Sequence, residues 1–288
     1  MAGHDIASRN RAERRETAAT LAERQLPDPA PALPAVGDRS APARPSVVLI
    51  CHEGDRIDTE GLSAWLASTM RLVGILLIRE PRVQGLAKSR REIQRVGWPR
   101  FLDVLAFRFY YRLFRARQDA RWAEQAIARL RSRYPADTSG VERLLVRDPN
   151  SREARAFLSR LKPDFVIARC KFILKHDIFR IPNRGTYVLH PGVCPEYRNA
   201  HGCFWALVNH DPERVGMTLL RVDAGVDTGP VLMHASYRFD ARNESPMVIQ
   251  YRVVIENLDR IADALRQARA GEAPTVSIAG RESRAWGQ

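Results

Sequence analysis

The feature that most constrains the fold is a series of short apolar runs that alternate with helical patterns. The first run, SVVLIC at 46–51, is followed by a helical pattern at 58–70 and a second apolar run, LVGILLI, at 72–78. Continuous apolar runs of this length are typical of parallel strands that are buried on both faces. A strand, a helix and a strand in this order predict a right-handed βαβ unit.

The alternation continues along the chain and predicts one α/β domain. The later segments are a helix at 152–163, strands at 164–170 and 186–192, a helix at 201–210, a strand at 215–223 and a closing helix at 245–271. We therefore predict a Rossmann-like domain over residues 46–288, with a mainly parallel sheet flanked by helices.

Residues 85–133 differ from this pattern and predict a basic helical insertion. One side of the predicted helix is apolar and the other is rich in arginine. The apolar side has Phe101, Leu102, Leu105, Phe109, Tyr110 and Leu113, and the other has Arg100, Arg108, Arg112 and Arg115. We interpret the arginine side first as a solvated surface and second as an anion-binding rim of an active site.

The N-terminal 45 residues have a different composition from the rest of the chain. The sequence LPDPAPALPAVGDRSAPARP at 26–45 repeats proline and alanine, which favours neither a regular helix nor a packed core. We predict that residues 1–45 are a disordered tail and that the folded domain begins at Ser46.

Charge and composition limit the classes of partner. The chain of 288 residues has 46 Lys and Arg against 33 Asp and Glu, a net charge of +13 that attracts anions. We interpret this charge as solvated surface and expect no nucleic-acid partner. No stretch approaches the roughly 20 apolar residues that span a bilayer, so we expect no membrane partner. Four cysteines and no secretory leader predict a cytoplasmic protein, and the oligomeric state stays open.

Two residues at strand ends are candidates for acid–base chemistry. His190 and Asp227 lie at the ends of two predicted strands, and reactive groups in open α/β sheets collect beyond the carboxyl ends of strands. Imidazole and carboxylate are a usual pair for proton transfer near neutral pH. When only one histidine and one aspartate of this kind are found, a structural role is the simpler interpretation.

Residues 187–232 contain an ordered set of motifs. These are VLHPGVCP at 188–195, YRN at 197–199, GMT at 216–218 and DAGVDTGP at 223–230. They resemble the signature of the folate-dependent formyltransferases, which act on glycinamide ribonucleotide, methionyl-tRNA or sugar amines. In that family a strand ends in Asn-x-His-Pro-Ser-Leu-Leu-Pro, and a Tyr-Arg-Gly element, a Gly-x-Thr strand and an Asp-x-Gly-x-Asp-x-Gly-Pro loop follow. A weaker likeness extends over about 46–283.

The resemblance implies transfer of a formyl group from 10-formyltetrahydrofolate to a small-molecule amine, without a metal. His190 matches the family histidine that stabilises the oxyanion or moves protons, and Asp227 matches the carboxylate that orients it and helps to deprotonate the amine. The implied folate-binding residues are Lys171, Phe172, Ile173, Leu174, Gly225 and Val226. For each of these six residues taken alone, ordinary core packing is an equally simple interpretation.

The resemblance leaves the acceptor open. A phosphorylated or nucleotide-linked amine could contact the arginines of the insertion. Methionyl-tRNA is not expected, because only about 60 residues follow Asp227.

One position departs from the family motif. Val188 stands where the family has an asparagine whose amide donates to the oxyanion, and the loss of such a donor lowers turnover by about 100–1000-fold. A backbone N–H group or the Asn199 amide could replace it. Two alternatives therefore stay open, a 10-formyltetrahydrofolate hydrolase and a non-catalytic folate- or ligand-binding protein.

The same segment also contains the residue types of a zinc site. His190, Cys194, His201 and Cys203 are suitable zinc ligands, but their spacing matches no common zinc motif. Cys194 could also act as a thiol nucleophile. Because Cys194 occupies an apolar position of the family motif, we interpret it as a small buried hydrophobic residue and expect no metal.

Removal of residues 1–44 is expected to leave the melting temperature almost unchanged, because their composition offers no periodic apolar face to the core. Thermal unfolding of the full-length and truncated chains, followed by circular dichroism, tests this. A fall of many degrees in the truncated chain would show that the tail packs against the domain.

Overall fold

Strands and helices alternate to form one sheet that is covered on both faces. The computed structural model describes residues 44–80, 85–272 and 275–286, so the predicted tail lies outside the described residues except for Arg44 and Pro45. The strands are β1 (Ser46–His52), β2 (Arg71–Ile78), β3 (Glu142–Val146), β4 (Phe165–Arg169), β5 (Thr186–His190), β6 (Gly216–Arg221) and β7 (Val231–Ser236). The α-helices are α1 (Ser63–Thr69), α2 (Gly85–Tyr110), α3 (Ala116–Arg133), α4 (Arg152–Leu161), α5 (His176–Phe179), α6 (Gly202–Val208), α7 (Pro246–Ile255) and α8 (Leu258–Ala270). Short π-helical turns at Ile57–Leu62 and Tyr111–Arg115 precede α1 and α3.

The sheet has the strand order β3-β2-β1-β4-β5-β6-β7. The first five strands in this order are parallel to their neighbours, whereas β5 pairs with β6, and β6 with β7, in the antiparallel sense. The predicted fold class, a mainly parallel α/β sheet flanked by helices, is confirmed.

The continuous apolar run of β1 is explained by two separate core clusters. Val47, Leu49 and Cys51 face a cluster that includes residues of α1, α7 and α8. Val48 and Ile50 face the opposite cluster, which includes residues of α4 and α5. Because successive side chains of a strand point to opposite faces, a strand between two helical layers needs apolar residues at every position.

Two strands and one helix break were not predicted from the sequence. The edge strand β3 has the sequence ERLLV, in which charged residues obscure the apolar pattern, and β7 directly follows the predicted Asp227 loop. The predicted closing helix is two helices. Asn257 lies at the break, and its side-chain amide donates to the carbonyl oxygens of Val253 and Ser236 at 2.8 and 3.2 Å.

Helices α2 and α3 occupy residues 85–133, between β2 and β3. Gly97 interrupts α2 with a φ of 80°, a value that glycine adopts without the steric penalty of a side chain. Ala126, Ile127 and Leu130 of α3 are buried, so α3 packs on the domain. In the apolar stripe predicted for this region, Phe101 is buried, whereas Leu102, Leu105, Phe109, Tyr110 and Leu113 are exposed.

Residues 44–288 form one compact unit. Pro45 is buried, and its carbonyl oxygen accepts a hydrogen bond from the Arg71 backbone at 2.9 Å. Among the described residues, no helix combines the length and the apolar content needed to cross a membrane.

Candidate active site

His190 is the last residue of β5, and its imidazole ring is buried between two partners. Nε2 lies 2.8 Å from the carbonyl oxygen of Tyr197. A carbonyl oxygen can only accept, so Nε2 carries a hydrogen and donates it. Nδ1 lies 3.6 Å from a carboxylate oxygen of Asp227, and the exposed fractions of the two side chains are 7% and 14%. The ring is therefore fixed in place, and its second nitrogen faces a carboxylate.

The path by which the chain brings Asp227 to His190 differs from the one predicted from the sequence. Because β6 is antiparallel to β5, Arg221 at the end of β6 pairs with Tyr187, near the start of β5, while His190 pairs with Thr218. The carboxyl end of β6 therefore lies about 10 Å from His190, at the opposite end of β5. The loop at 222–230 returns over this distance and brings Asp227 to the ring. The expectation that both residues follow carboxyl ends at the same edge is wrong for Asp227.

The Asp227 loop is held by hydrogen bonds at both ends. The backbone N–H of Asn199 donates to the Asp227 carboxylate at 2.8 Å. Within the loop, Asp223 accepts from the Gly225 backbone at 3.0 Å and from the Thr228 hydroxyl at 2.7 Å. Asp227 itself has a φ of 51°, in the left-handed region, which few non-glycine residues adopt but which aspartate adopts more readily than most.

Two glycines allow the backbone to pack closely around the His190 ring. A Cβ atom on Gly192 would lie 2.6 Å from His190 Nε2 and 2.6 Å from the Tyr197 carbonyl oxygen. A Cβ on Gly202 would lie 2.6 Å from the Cα of Gly192. The family motif has serine at the position of Gly192, whereas glycine here leaves room for the backbone to pack against the ring.

The surroundings of His190 favour its protonated form. Burial alone lowers the pKa of His190, but the neighbouring Cys194, the Asp227 carboxylate and the Tyr197 carbonyl oxygen raise it to about 9. At neutral pH the ring is therefore an imidazolium that donates from Nε2 to Tyr197 and presents Nδ1–H to Asp227. A buried cation beside a carboxylate can stabilise negative charge that develops during a reaction.

His190 and Asp227 line a cavity of about 450 Å³, a volume typical of small-molecule sites. All the predicted folate-binding residues also line it, and these are Lys171, Phe172, Ile173, Leu174, Gly225 and Val226. Leu174 is buried in the core, whereas Ile173 is 65% and Val226 is 36% exposed. The structure thus brings the two halves of the predicted site to one cavity.

A polar wall of the same cavity was missed by the sequence reasoning. His52, Asp55, Asp58, Arg169 and Tyr251 also line it. Arg169 Nε lies 3.3 Å from Asp58, and both side chains are buried. Burial raises the pKa of the Asp58 carboxyl, Arg169 opposes this shift and Asp55 adds to it. The Tyr251 hydroxyl donates to Asp55 in a short hydrogen bond.

The positions of these residues in the fold explain which of them could have been predicted from the sequence. Asp55 follows β1, and Arg169 ends β4, so the rule that functional groups lie beyond strand ends would have selected both. Tyr251 lies within α7, and no sequence pattern distinguishes it from a core residue.

Val188 lines the cavity from β5, and its side chain packs at the edge of two apolar clusters. The Asn199 amide, considered as a replacement donor, is engaged elsewhere: its Nδ2 lies 2.7 Å from the Trp286 carbonyl oxygen. The backbone N–H of Asn199 instead holds Asp227, as described above.

Three of the four side chains of the zinc alternative are held by other partners. His190 donates to Tyr197, His201 Nδ1 lies 3.0 Å from Gln250, and the Cys203 thiol donates to the Gly216 carbonyl oxygen at 3.1 Å. Among the described residues, no group of three or more His, Cys, Asp or Glu residues is arranged to hold a metal ion. Cys194 is fully buried, which does not fit a thiol that must reach a substrate.

The raised pKa of His190 predicts a specific dependence of stability on pH. The stabilisation is complete below the unfolded pKa of about 6.5 and is lost as the pH rises through the folded value of about 9, a loss of up to about 3 kcal/mol. Urea unfolding of the wild type and of His190→Gln at several pH values from 6 to 9.5 measures this. The variant is expected to show a flatter profile, and equal slopes for the two proteins would contradict the assignment.

Comparison with known proteins was consistent with the motif assignment. Residues 123–265 match the family model described as formyl transferase. Methionyl-tRNA formyltransferase of Dehalococcoides mccartyi is 35% identical over 119 residues, which are 40% of this chain and 38% of the relative. The bifunctional polymyxin resistance protein ArnA of Wigglesworthia glossinidia brevipalpis is 33% identical over 90 residues, 31% of this chain and 14% of the relative. The chain thus spans about two fifths or less of the length of these curated relatives.

A solved structure supports the fold. The crystal structure of phosphoribosylglycinamide formyltransferase from Anaplasma phagocytophilum has a TM-score of 0.50 over 83% of this chain and 97% of that chain, at 12% identity. At this identity the likeness shows a shared fold. Residues 123–265, which contain both His190 and Asp227 and make up about half of this chain, thus match the formyl transferase family.

Proposed function

We propose that this protein transfers a formyl group from 10-formyltetrahydrofolate to the amine of a small acceptor. The observation that supports this most is the 3.6 Å approach of His190 Nδ1 to the Asp227 carboxylate in one cavity. A buried imidazolium and a carboxylate supply the positive charge and the proton acceptor that acyl transfer to an amine requires.

In the proposed reaction, the neutral acceptor amine attacks the formyl carbon, and the formyl oxygen becomes an oxyanion. The His190 imidazolium stabilises that charge. Asp227 accepts a proton from the attacking nitrogen. The bond between the formyl carbon and the folate nitrogen then breaks, and the leaving nitrogen takes the proton. One carbon–nitrogen bond forms and one breaks, with no net change in protons.

The apolar part of the cavity supports a folate as formyl donor. Ile173 and Val226 are apolar and partly exposed beside the cavity, where a flat ring system would cover them. Gly225, Val226 and Asp227 line the same wall. A mainly apolar site with a few polar groups is the usual form of a small-molecule site.

The polar part of the cavity limits the chemical groups that an acceptor could present there. None of the described residues of the basic insertion at 85–133 lines the cavity. Two cationic residues that do line the cavity are Arg169, which is paired with Asp58, and Lys171, which is largely exposed. Asp55 and Asp58 would repel a phosphate at this wall. We therefore favour an acceptor that presents amine or hydroxyl groups there.

The proposal predicts that Asp227→Asn lowers turnover by at least about 100-fold, because the amide cannot accept a proton. Purified full-length protein is incubated with 10-formyltetrahydrofolate and a panel of amines, and tetrahydrofolate and formylated product are measured. Asp263→Asn, an exposed position on α8 outside the cavity lining, is the matched control.

Three results would contradict the proposed transfer. Equal turnover by the Asp227 and Asp263 variants would remove Asp227 from the mechanism. Release of formate without formylated amine would favour the hydrolase. Binding of the folate without turnover for any amine would favour the binding protein.

Val188→Asn is expected to raise turnover with 10-formyltetrahydrofolate about tenfold or more, since it restores an amide donor at the cavity wall. Val188→Leu is the control, because leucine has nearly the shape of asparagine but donates no hydrogen bond. Turnover and melting temperature are measured together for both variants. If the asparagine variant loses stability, by about 1–3 kcal/mol, without gaining activity, another group already fills the oxyanion site.

A further inference from the structure

Residues 98–115 form a surface that the proposed function does not use. This aromatic–arginine segment comprises the end of α2 and the π-helical turn Tyr111–Arg115. Eight of its large apolar side chains are between 42% and 67% exposed. They are Trp98, Leu102, Leu105, Phe107, Phe109, Tyr110, Leu113 and Phe114. Soluble proteins rarely leave a contiguous patch of such side chains uncovered unless it binds something.

The exposed side chains are arranged in an ordered way. Residues 98, 102, 105, 109 and 113 follow one another at helical spacings of three and four, which places them on one side of the helix. Four arginines, Arg100, Arg108, Arg112 and Arg115, lie around the rest of the helix. Arg108, Arg112 and Arg115 follow Phe101 at spacings of seven, four and three, so they flank the inner side, and Arg108 and Arg112 are exposed there. Asp103 is the one acidic residue in the sequence of the segment. The segment therefore has a broad apolar side next to a cationic side.

Contacts with the domain hold the segment in this orientation. Phe101, on the inner side, is 5% exposed. The Tyr111 hydroxyl donates to Asp119 at 2.8 Å, and Arg115 donates to the Asn243 carbonyl oxygen at 2.8 Å. The apolar side thus faces outward because the other side is attached, and the chain does not turn it toward the core.

We propose that the aromatic–arginine segment binds the surface of an anionic lipid bilayer. Helices that lie in a membrane interface combine Trp, Phe and Leu on one side with Lys or Arg on the other. The aromatic rings enter the boundary between headgroups and acyl chains, and the arginines contact lipid phosphates. A segment of 18 residues is about 27 Å long and fits flat on such a surface.

Charge complementarity favours an anionic bilayer over a second copy of the chain as the partner of this segment. In a symmetric dimer the same patch meets itself, so the arginines of two segments would lie at one interface with little acidic charge to offset them. Anionic lipids supply the opposite charge. Nucleic acid supplies it too, but offers no apolar medium for Leu102, Leu105 and Leu113.

This proposal differs from membrane spanning, on which the expectation of no membrane partner was based. A helix that lies on a bilayer needs an apolar side and a charged side, whereas a spanning helix needs about 20 mostly apolar residues. The segment has the first pattern and lacks the second.

The test uses the full-length protein and vesicles of phosphatidylcholine with or without 30 mol% phosphatidylglycerol. Co-sedimentation is expected with the anionic vesicles at low salt, with at least tenfold weaker binding to phosphatidylcholine alone. Leu105→Ser/Phe109→Ser/Leu113→Ser is expected to weaken binding at least tenfold. Val208→Ser, at an exposed apolar position on α6, is the matched control and should bind as the wild type does.

The cationic side is tested in the same assay. Arg100→Gln/Arg112→Gln is expected to weaken binding and to reduce its dependence on salt. Arg143→Gln/Arg152→Gln removes the same charge from exposed positions outside the segment and should have no such effect.

A spectroscopic measurement locates the contact. Trp98 emission is expected to shift to shorter wavelength on binding anionic vesicles, and Trp98→Phe should remove that shift. Absence of vesicle binding at low salt, or equal binding by the triple-serine variant, would overturn the proposal. So would a dimer without vesicles that the triple-serine substitution dissociates, since a second copy would then be the occupant. Turnover with soluble substrates is expected to be unchanged in the triple-serine variant.

Discussion

Burial of β1 on both faces is the constraint on which the rest of the structure depends. Its residues from Val47 to Cys51 have no solvent exposure, and they alternate between two core clusters. A strand of this kind must have a helical layer on each side and a parallel neighbour at each edge. The carboxyl ends of β1 and β4 then lie side by side at the same end of the sheet, with β5 next to β4. This end of the sheet supplies His52, Arg169 and His190 to the cavity.

The change from parallel to antiparallel pairing at β6 decides how the site is completed. Antiparallel pairing places the end of β6 away from His190, so a long loop has to bring Asp227 back. The hydrogen bonds from Asn199 to Asp227, and from Gly225 and Thr228 to Asp223, fix that loop. The carboxylate is therefore held beside the ring, with the Asp227 backbone in the left-handed region.

The cavity and the aromatic–arginine segment are separate features of the molecule. The described residues of the insertion do not line the cavity, although its charge first suggested an anion-binding rim. The two proposals therefore rest on different parts of the structure. The first depends on a buried ion pair, and the second depends on apolar side chains that the fold leaves uncovered.

The sequence by itself determined the mainly parallel α/β class and predicted part of the candidate site, namely His190, Asp227 and the residues at 171–174 and 225–226. Apolar runs identified most of the buried strands, because burial on both faces leaves a continuous signal, and the spaced motifs at 188–230 carried the resemblance to the formyltransferases. The edge strand β3 lacked that signal, since one edge of a sheet tolerates charged residues. Only the tertiary structure decided the pairing sense of β6, the return of Asp227 and the polar wall around Asp55 and Tyr251. These depend on contacts between residues far apart in the chain, which no local pattern of apolar and polar residues specifies. The exposed side of the aromatic–arginine segment was decided in the same way, because an amphipathic pattern predicts an apolar side but not what covers it.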